Sequence, residues 1–234
     1  MMKKIKNIGT TSFIISDFRV KNLDYLRDKV DIVQLLYLDS EDGETETKEL
    51  LKVKQDIEYI AHMPIDIDLS LDKDWTKLEK FISDLKVLDP KSYIIHPKNH
   101  HNFFNNLVSF KEKYKNICVE NIDEIESFSK ILHIDANICL DAGHALLKGI
   151  DIKNFINKFG KNITTYHLHG VFEGVDHLSM KYFDKKVLKY LLDFASEKEI
   201  DIIIEVFGLE DFTASIDFLR GFFRENDYDY HRWS

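Results

Sequence analysis

The sequence predicts an α/β fold, a compact (β/α)8 TIM barrel that forms a single domain over residues 1–234. Eight short apolar, β-branched runs alternate with charged segments that have helical spacing. Runs made almost wholly of Ile, Val, Leu and Cys are typical of parallel strands that helices cover. Eight β–α units in one chain favour a closed barrel. The alternative is an open doubly wound sheet, but no glycine-rich phosphate loop follows the first run.

The predicted strands and helices follow in chain order. The strands are residues 5–15, 31–38, 58–65, 92–97, 116–121, 137–142, 164–171 and 201–207. The segments between them carry apolar residues spaced as one stripe of a helix. This stripe comprises Leu23, Leu26 and Val30 after the first strand, Leu78, Phe81, Ile82 and Leu85 after the third, and Val187, Leu188, Leu191, Leu192 and Phe194 after the seventh. Residues 41–49 (EDGETETKE) predict a solvated loop that leads into a helix.

Composition and charge limit where the protein works and what it binds. No run of eighteen apolar residues occurs, so we expect no membrane span. The basic start, MMKKIKNIGTTSF, has no signal-peptide apolar block, and Cys118 and Cys139 lie in apolar runs. We therefore expect a cytoplasmic protein with two reduced core thiols. The formal net charge of −9 and the scattered lysines disfavour a nucleic-acid partner.

Ionisable residues stand where six consecutive predicted strands end, which is where TIM barrels carry their working residues. They are His62, His96, Glu120, Asp141, His167 and Glu205. A carboxylate next to buried apolar residues is costly unless a positive charge neutralises it. Lys98 is the only cation at these strand ends, so we predict a divalent metal. Carboxylate and imidazole ligands without thiolate suit zinc, manganese or iron.

The alternation of strand side chains predicts what lies beneath these residues. Cys118, Cys139 and Ile203 stand two residues before Glu120, Asp141 and Glu205, so we expect them to fill the core below the site. His169 shares a face with His167 and can also point into the mouth. Gly143 is expected to let the backbone turn sharply at the strand end, or to mark a helix boundary. Thr10, Thr11 and Ser12 are candidate substrate hydroxyls, with local turn capping as the alternative.

These strand ends resemble the xylose-isomerase-like barrel superfamily, which contains sugar epimerases, sugar isomerases and zinc-dependent apurinic/apyrimidinic endonucleases. Glu120-Asn121 resembles its fifth-strand Glu-Asn, and Asp141-Ala-Gly-His144 its sixth-strand Asp-x-x-His. His167-Leu-His-Gly resembles the seventh-strand motif, and Glu205 the eighth-strand Glu. A closer likeness is to the cobamide-remodelling phosphodiesterases of the same superfamily. It rests on residues 8–14 (IGTTSFI), 139–144 (CLDAGH), 167–171 (HLHGV) and 174–179 (GVDHLS).

The two branches of the superfamily imply different metal sets. The epimerase-like branch implies one metal held by Glu120, Asp141, His167 and Glu205, with the two glutamates moving a proton. The phosphoesterase branch implies a second metal held by His62 and His96, with Glu120 bridging. The presence of that histidine pair favours the phosphoesterase.

The resemblance also bears on His144 and on residues 176–177. The endonucleases hold a third metal with an Asp-x-His, but Asp176 and His177 are adjacent here, so these residues and His144 bind either a third metal or substrate. Asn121 and His169 are candidate substrate contacts, and Glu120, Glu205 and His144 the candidate catalytic residues. For His144 and His169 the alternative is that they orient the metal ligands.

The resemblance therefore implies a phosphodiesterase with two or three divalent ions, zinc or manganese. It would hydrolyse the nucleotide loop of a cobamide to cobinamide phosphate and α-ribazole. Two alternatives stay open: a metal-dependent sugar or sugar-phosphate isomerase or epimerase, and a corrinoid- or metal-binding protein without turnover. The sequence leaves the native metal, the lower ligand of the corrinoid and the oligomeric state undecided.

Overall fold

The computed structural model of the chain describes residues 2–40, 46–53, 57–122 and 125–233. Eight parallel strands close a barrel. In chain order they are β1 Asn7–Thr11, β2 Ile32–Leu36, β3 Glu58–His62, β4 Tyr93–Ile95, β5 Ile117–Glu120, β6 Asn137–Asp141, β7 Ile163–Leu168 and β8 Asp201–Ile204. Each strand pairs with the next along the chain, and β8 closes the ring on β1, with Asp201 opposite Asn7 and Ile204 opposite Thr10. The predicted TIM barrel and the order of its eight strands are confirmed. Several strands are shorter than predicted: β1 ends at Thr11 and β7 at Leu168.

Helices follow the strands and cover the outside of the barrel. They are α1 Arg19–Leu26, α2 Thr47–Val53, α3 Asp72–Leu85, α4 His101–Lys113, α5 Ile125–Ile134, α6 Ala142–Leu147, α7 Ile152–Phe159, α8 Lys185–Lys198 and α9 Leu209–Glu225. The predicted stripe of α3 is buried throughout. Aspartate side chains cap the N-termini of several helices: Asp151 accepts hydrogen bonds from the first turn of α7, and Asp184 does the same for α8. Part of the loop predicted over residues 41–49 lies outside the described residues.

Smaller elements complete the chain. A hairpin of Gly170–Phe172 and Val175–Leu178 follows β7 at the carboxyl end of the barrel. Lys3–Lys4 pairs in parallel with Tyr228–Asp229. Two 3-10 helices cover Lys86–Leu88 and Met180–Tyr182. None of the helices in the described ranges has both the length and the apolar character that crossing a membrane requires.

The barrel interior contains an apolar layer directly below the strand ends. It consists of Ile32, Ile60, Ile94, Cys118, Cys139 and Ile203, all with no exposed surface. Each lies two residues before a polar side chain at the mouth, as the alternation of strand residues predicts. Both cysteines are free thiols, which confirms their prediction as core residues. We call these six residues the floor layer.

Candidate metal centre

The barrel closure brings all six predicted strand-end residues into one buried site. His62, Glu120 and Asp141 are the last residues of β3, β5 and β6, and His167 is the last but one of β7. His96 and Glu205 directly follow β4 and β8. All six except His96 are buried. Parallel strands share one carboxyl edge, which explains why residues up to 143 positions apart in sequence meet here.

Their ligand atoms form two adjacent groups. The four-ligand cluster is Glu120, Asp141, His167 and Glu205, and the histidine-pair cluster is His62, His96 and Glu120. Within each cluster, one ligand atom per residue lies within 4.8 Å of all the others. Glu120 belongs to both clusters: its Oε2 lies 3.4 Å from His62 Nε2, 3.5 Å from His96 Nε2 and 3.7 Å from His167 Nδ1.

Unpaired buried atoms show that this site is incomplete as a purely protein structure. Oε2 of Glu120 and Nδ1 of His167 are both buried without a hydrogen-bond partner. Burying such atoms unpaired is costly, whereas a cation would satisfy both at once. Within the described ranges, the ion pairs of Glu120, Asp141 and Glu205 are all with histidines. These buried His, Glu and Asp clusters therefore suit divalent metal ions.

The electrostatics of the metal-free site ionise its glutamates. Burial alone would raise the pKa of Glu120, but the imidazoles of His167, His62 and His96 hold it well below its usual range. The same balance, with His167 as the main partner, lowers the pKa of Glu205 to about 2. Burial lowers the pKa of His96. At neutral pH the two glutamates are ionised and the His96 ring is neutral, the forms that bind a metal.

Burial alone would lower the pKa of His167, but Cys139, Glu205 and Glu120 raise it well above its usual value. A metal ion would therefore displace a proton from the His167 ring.

A third group of imidazoles lies beside these clusters. The three-histidine cluster is His144, His169 and His177. His144 follows Asp141 by one helical turn, and its Nδ1 lies 3.1 Å from Asp141 Oδ2. Its Nε2 lies 3.2 Å from Asp176 Oδ2. The structure thus places His144 beside both Asp176 and His177. The Asp176 carboxylate and the adjacent His177 ring are 4.0 Å apart.

His169 contacts both Asp141 and His177. Its Nε2 lies 3.1 Å from Asp141 Oδ1, and its Nδ1 accepts a hydrogen bond from the His177 backbone N–H. The His169 and His177 rings stack with centroids 4.2 Å apart. His177 has a left-handed backbone, φ 52°, which bulky residues seldom adopt. The hairpin after β7 brings His177 against His169. Because this contact depends on how the hairpin folds, the sequence motif around His169 does not indicate it.

Gly143 is required for a reason other than the predicted sharp turn. It lies inside α6 and does not have a positive φ. A Cβ atom at this position would come within 2.2 Å of Cε1 of His169. The glycine therefore makes room for the His169 ring against the start of α6.

The predicted substrate-binding hydroxyls and amide make structural hydrogen bonds. Thr10 and Thr11 donate to the carbonyls of Ile204 and Val206, and Ser12 accepts from the Leu36 N–H. Asn121 clamps Asp141: its Nδ2 donates to the Asp141 carbonyl and its Oδ1 accepts from the Asp141 N–H. All four residues are buried. Their contact with substrate stays a prediction.

Gln34 is a site residue that the sequence reasoning missed. It lies in the middle of β2 with no exposed surface, and its amide contacts both His167 and Glu205. The signal was present in the run DIVQLLYL, where one polar residue interrupts a buried strand on the same face as Ile32. Gln34 is uncharged and does not lie at a strand end, so it differs from the other site residues in both respects.

Exposed apolar side chains surround the opening of the site. They lie in the segments after β1, β2, β3, β7 and β8, and we call them the apolar rim: Phe13, Leu38, Ile65, Phe172 and Phe207, each between 43% and 52% exposed. The Phe207 ring lies 4.5 Å from the His177 ring and 6.4 Å from Phe13, centroid to centroid. Ring contacts thus run from the rim into the three-histidine cluster.

Neither a family model nor a curated protein sequence matches this chain. Solved structures do. A D-tagatose 3-epimerase-like protein is 19% identical, with a TM-score of 0.71 over 94% of this chain and 98% of that one. A xylose isomerase domain containing protein from Salmonella typhimurium LT2 is 12% identical, with a TM-score of 0.68 over 94% and 99%. An AP endonuclease, family 2, from Brucella melitensis is 11% identical, with a TM-score of 0.63 over 89% and 93%. The chain therefore has the TIM-barrel fold of these structures.

Proposed function

We propose that this protein belongs to the xylose-isomerase-like superfamily and is a metal-dependent phosphodiesterase that hydrolyses the nucleotide-loop phosphoester of cobamides. Water adds to phosphorus and the P–O bond to the nucleoside oxygen breaks. That oxygen leaves with a proton from the water, giving cobinamide phosphate and α-ribazole. The observation that carries the proposal is Glu120, which lies in both the four-ligand cluster and the histidine-pair cluster.

Two cation sites that share a carboxylate suit phosphoester hydrolysis. Asp141, His167 and Glu205 would hold one ion and His62 and His96 the other, with Glu120 between them. We infer zinc or manganese from the imidazole and carboxylate donors. When bound, such ions supply activated water near neutral pH and stabilise charge on the phosphoryl group and leaving oxygen.

The chain's own residues would position the substrate and move its protons. His144 is 22% exposed at its side chain, so it can meet substrate. Its Nε2, beside Asp176 Oδ2, is the candidate atom to hand a proton to the leaving oxygen. Asp141 accepts a hydrogen bond from the His144 backbone N–H, which fixes the start of α6 against the centre.

The apolar rim supports a substrate with a large organic body beside its phosphodiester. Its five exposed apolar side chains follow strands at this end of the barrel, and two of them, Phe13 and Phe207, are in ring contact beside His177. The net charge of −9 argues against an extended nucleic acid as the diester. A corrinoid, with its wide ring and attached nucleotide, fits both observations. We predict that Phe207→Ala raises the KM for the cobamide several-fold and leaves metal content unchanged.

The test is product analysis combined with metal analysis. Purified protein is assayed for bound metals per chain and then incubated with adenosylcobalamin, and the products are separated by chromatography. We expect two or more ions per chain and release of α-ribazole. One ion and no corrinoid cleavage would refute the phosphodiesterase.

A sugar or sugar-phosphate epimerase is the second candidate, because the four-ligand cluster forms a one-metal site with a glutamate on each side. The solved structures that share the fold include an L-ribulose 3-epimerase, 16% identical with a TM-score of 0.61. His62→Ala and His96→Ala separate the candidates. The phosphodiesterase requires both histidines, whereas an epimerase would keep its activity on ketoses in both variants. A binding protein without turnover would retain corrinoid and release no product.

A further inference from the structure

Gln34 occupies an unusual place for a primary amide. It points into the barrel one layer above Ile32 of the floor layer, and its side chain has no exposed surface. An amide buried this deeply must satisfy both its oxygen and its nitrogen within the protein. Gln34 does so with two members of the four-ligand cluster.

The two hydrogen bonds join two neighbouring members of that cluster. Gln34 Nε2 donates to Glu205 Oε1 at 2.8 Å, and Gln34 Oε1 lies 2.7 Å from His167 Nε2. The reverse orientation of the amide would place two oxygen acceptors 2.8 Å apart, since a metal-binding carboxylate is ionised. Glu205 therefore determines which way the Gln34 amide points.

This orientation determines which ring nitrogen of His167 carries the proton. An amide oxygen only accepts hydrogen bonds, so Nε2 of His167 must donate. Metal binding requires the neutral ring, and in that form the lone pair is on Nδ1. That atom lies 3.0 Å from Glu205 Oε2, 3.7 Å from Glu120 Oε2 and 3.9 Å from Asp141 Oδ2, and it is buried without a hydrogen bond.

We propose that Gln34 is a positioning residue that fixes His167 as its Nε2–H tautomer and thereby presents Nδ1 to the cation of the four-ligand cluster. The same amide restrains Oε1 of Glu205, leaving Oε2 directed at that cation. Partners of this kind orient metal ligands, and their loss typically weakens metal binding by about 10- to 100-fold. The inference rests on the metal centre of the proposed function and is independent of its substrate.

The test uses the full chain loaded with Zn²⁺ and three substitutions. Gln34→Met keeps the length of the side chain and removes both hydrogen bonds. Gln34→Glu keeps an oxygen acceptor for His167 and removes the donor to Glu205. Asn22→Leu is the matched control, because Asn22 is a buried amide whose bonds go to the Ile15–Phe18 loop. Zinc affinity is measured by chelator competition, and the imidazole protons by ¹H–¹⁵N NMR.

We expect zinc-loaded wild-type protein to show a slowly exchanging Nε2–H on His167 and a metal-bound Nδ1. Gln34→Met should lose that proton signal and bind zinc about 10- to 100-fold more weakly. Gln34→Glu should retain the signal, and Asn22→Leu should match wild type in both measurements.

A proton on Nδ1 of His167 in the zinc-loaded wild type would overturn the proposal, even if no variant folds. So would a Gln34→Met protein with the zinc affinity of Asn22→Leu. Failure of the wild type to bind zinc is a different result, because it contradicts the proposed metal centre itself.

Discussion

Replacing Glu120 with glutamine removes one negative charge that both candidate metal sites share. The substitution keeps the shape of the side chain and one oxygen, so its effect is mainly electrostatic. Two unit charges 4 Å apart at an effective dielectric constant of 20 interact by about 4 kcal/mol. That energy corresponds to roughly a thousandfold in Kd. Because Glu120 is within 3.7 Å of His62, His96 and His167, we expect both ions to bind at least that much more weakly.

The assay is metal content per chain after dialysis against buffered zinc, followed by turnover of adenosylcobalamin. Glu120→Gln should lose both ions and all measurable turnover. Glu205→Gln should lose chiefly the ion of the four-ligand cluster, because Glu205 is not part of the histidine-pair cluster. Glu58→Gln, an exposed change at the opposite end of the barrel, should behave as wild type. A Glu120→Gln protein that holds two ions, or that turns over normally, would refute the shared-carboxylate reasoning.

Three further predictions concern packing, pH and thiol reactivity. Gly143→Ala forces a methyl group against the His169 ring and should cost about 1–3 kcal/mol of unfolding free energy, so an unchanged urea midpoint would contradict the close packing. The pKa of Glu205, about 2 instead of 4.5, contributes stability that is present above pH 4.5 and lost as the pH falls towards 2. The free energy of unfolding, measured in the presence of a metal chelator, should therefore fall between pH 4.5 and pH 2, and it should fall less in Glu205→Gln. The same pH dependence in both proteins would contradict this prediction. Burial raises the pKa of Cys118 to about 12 and that of Cys139 well above its usual value, so neither folded thiol should react with a disulfide reagent at pH 8, whereas both should react in denaturant.

Much of the fold and the site could be predicted because both depend on local patterns. β-branched runs and helical stripes recur regularly enough to give eight strands, and strand alternation places Cys118 under Glu120 without any tertiary information. Closure of the barrel then requires the strand ends to meet. This geometric requirement brings His62 and Glu205 to the same site although 143 residues separate them.

What could not be predicted depends on contacts between distant segments. The need for Gly143 comes from the ring of His169, which the hairpin after β7 delivers from another strand. Gln34 resembles an ordinary strand residue until its two partners, on β7 and after β8, are known. The hydroxyl of Thr11 is engaged by a carbonyl 195 residues away, a bond that no local motif reports.

The floor layer has a consequence for how metal ions would enter and leave the site. Six side chains with no exposed surface fill the barrel directly below the centre. Under the proposed function, metals would therefore arrive and depart through the same opening as the substrate, past the apolar rim. A bound substrate would block this opening, so the exchange of metal ions with the solvent should slow while the substrate is bound. The protein would therefore retain its metal ions best while substrate is bound and lose them most readily when no substrate is bound.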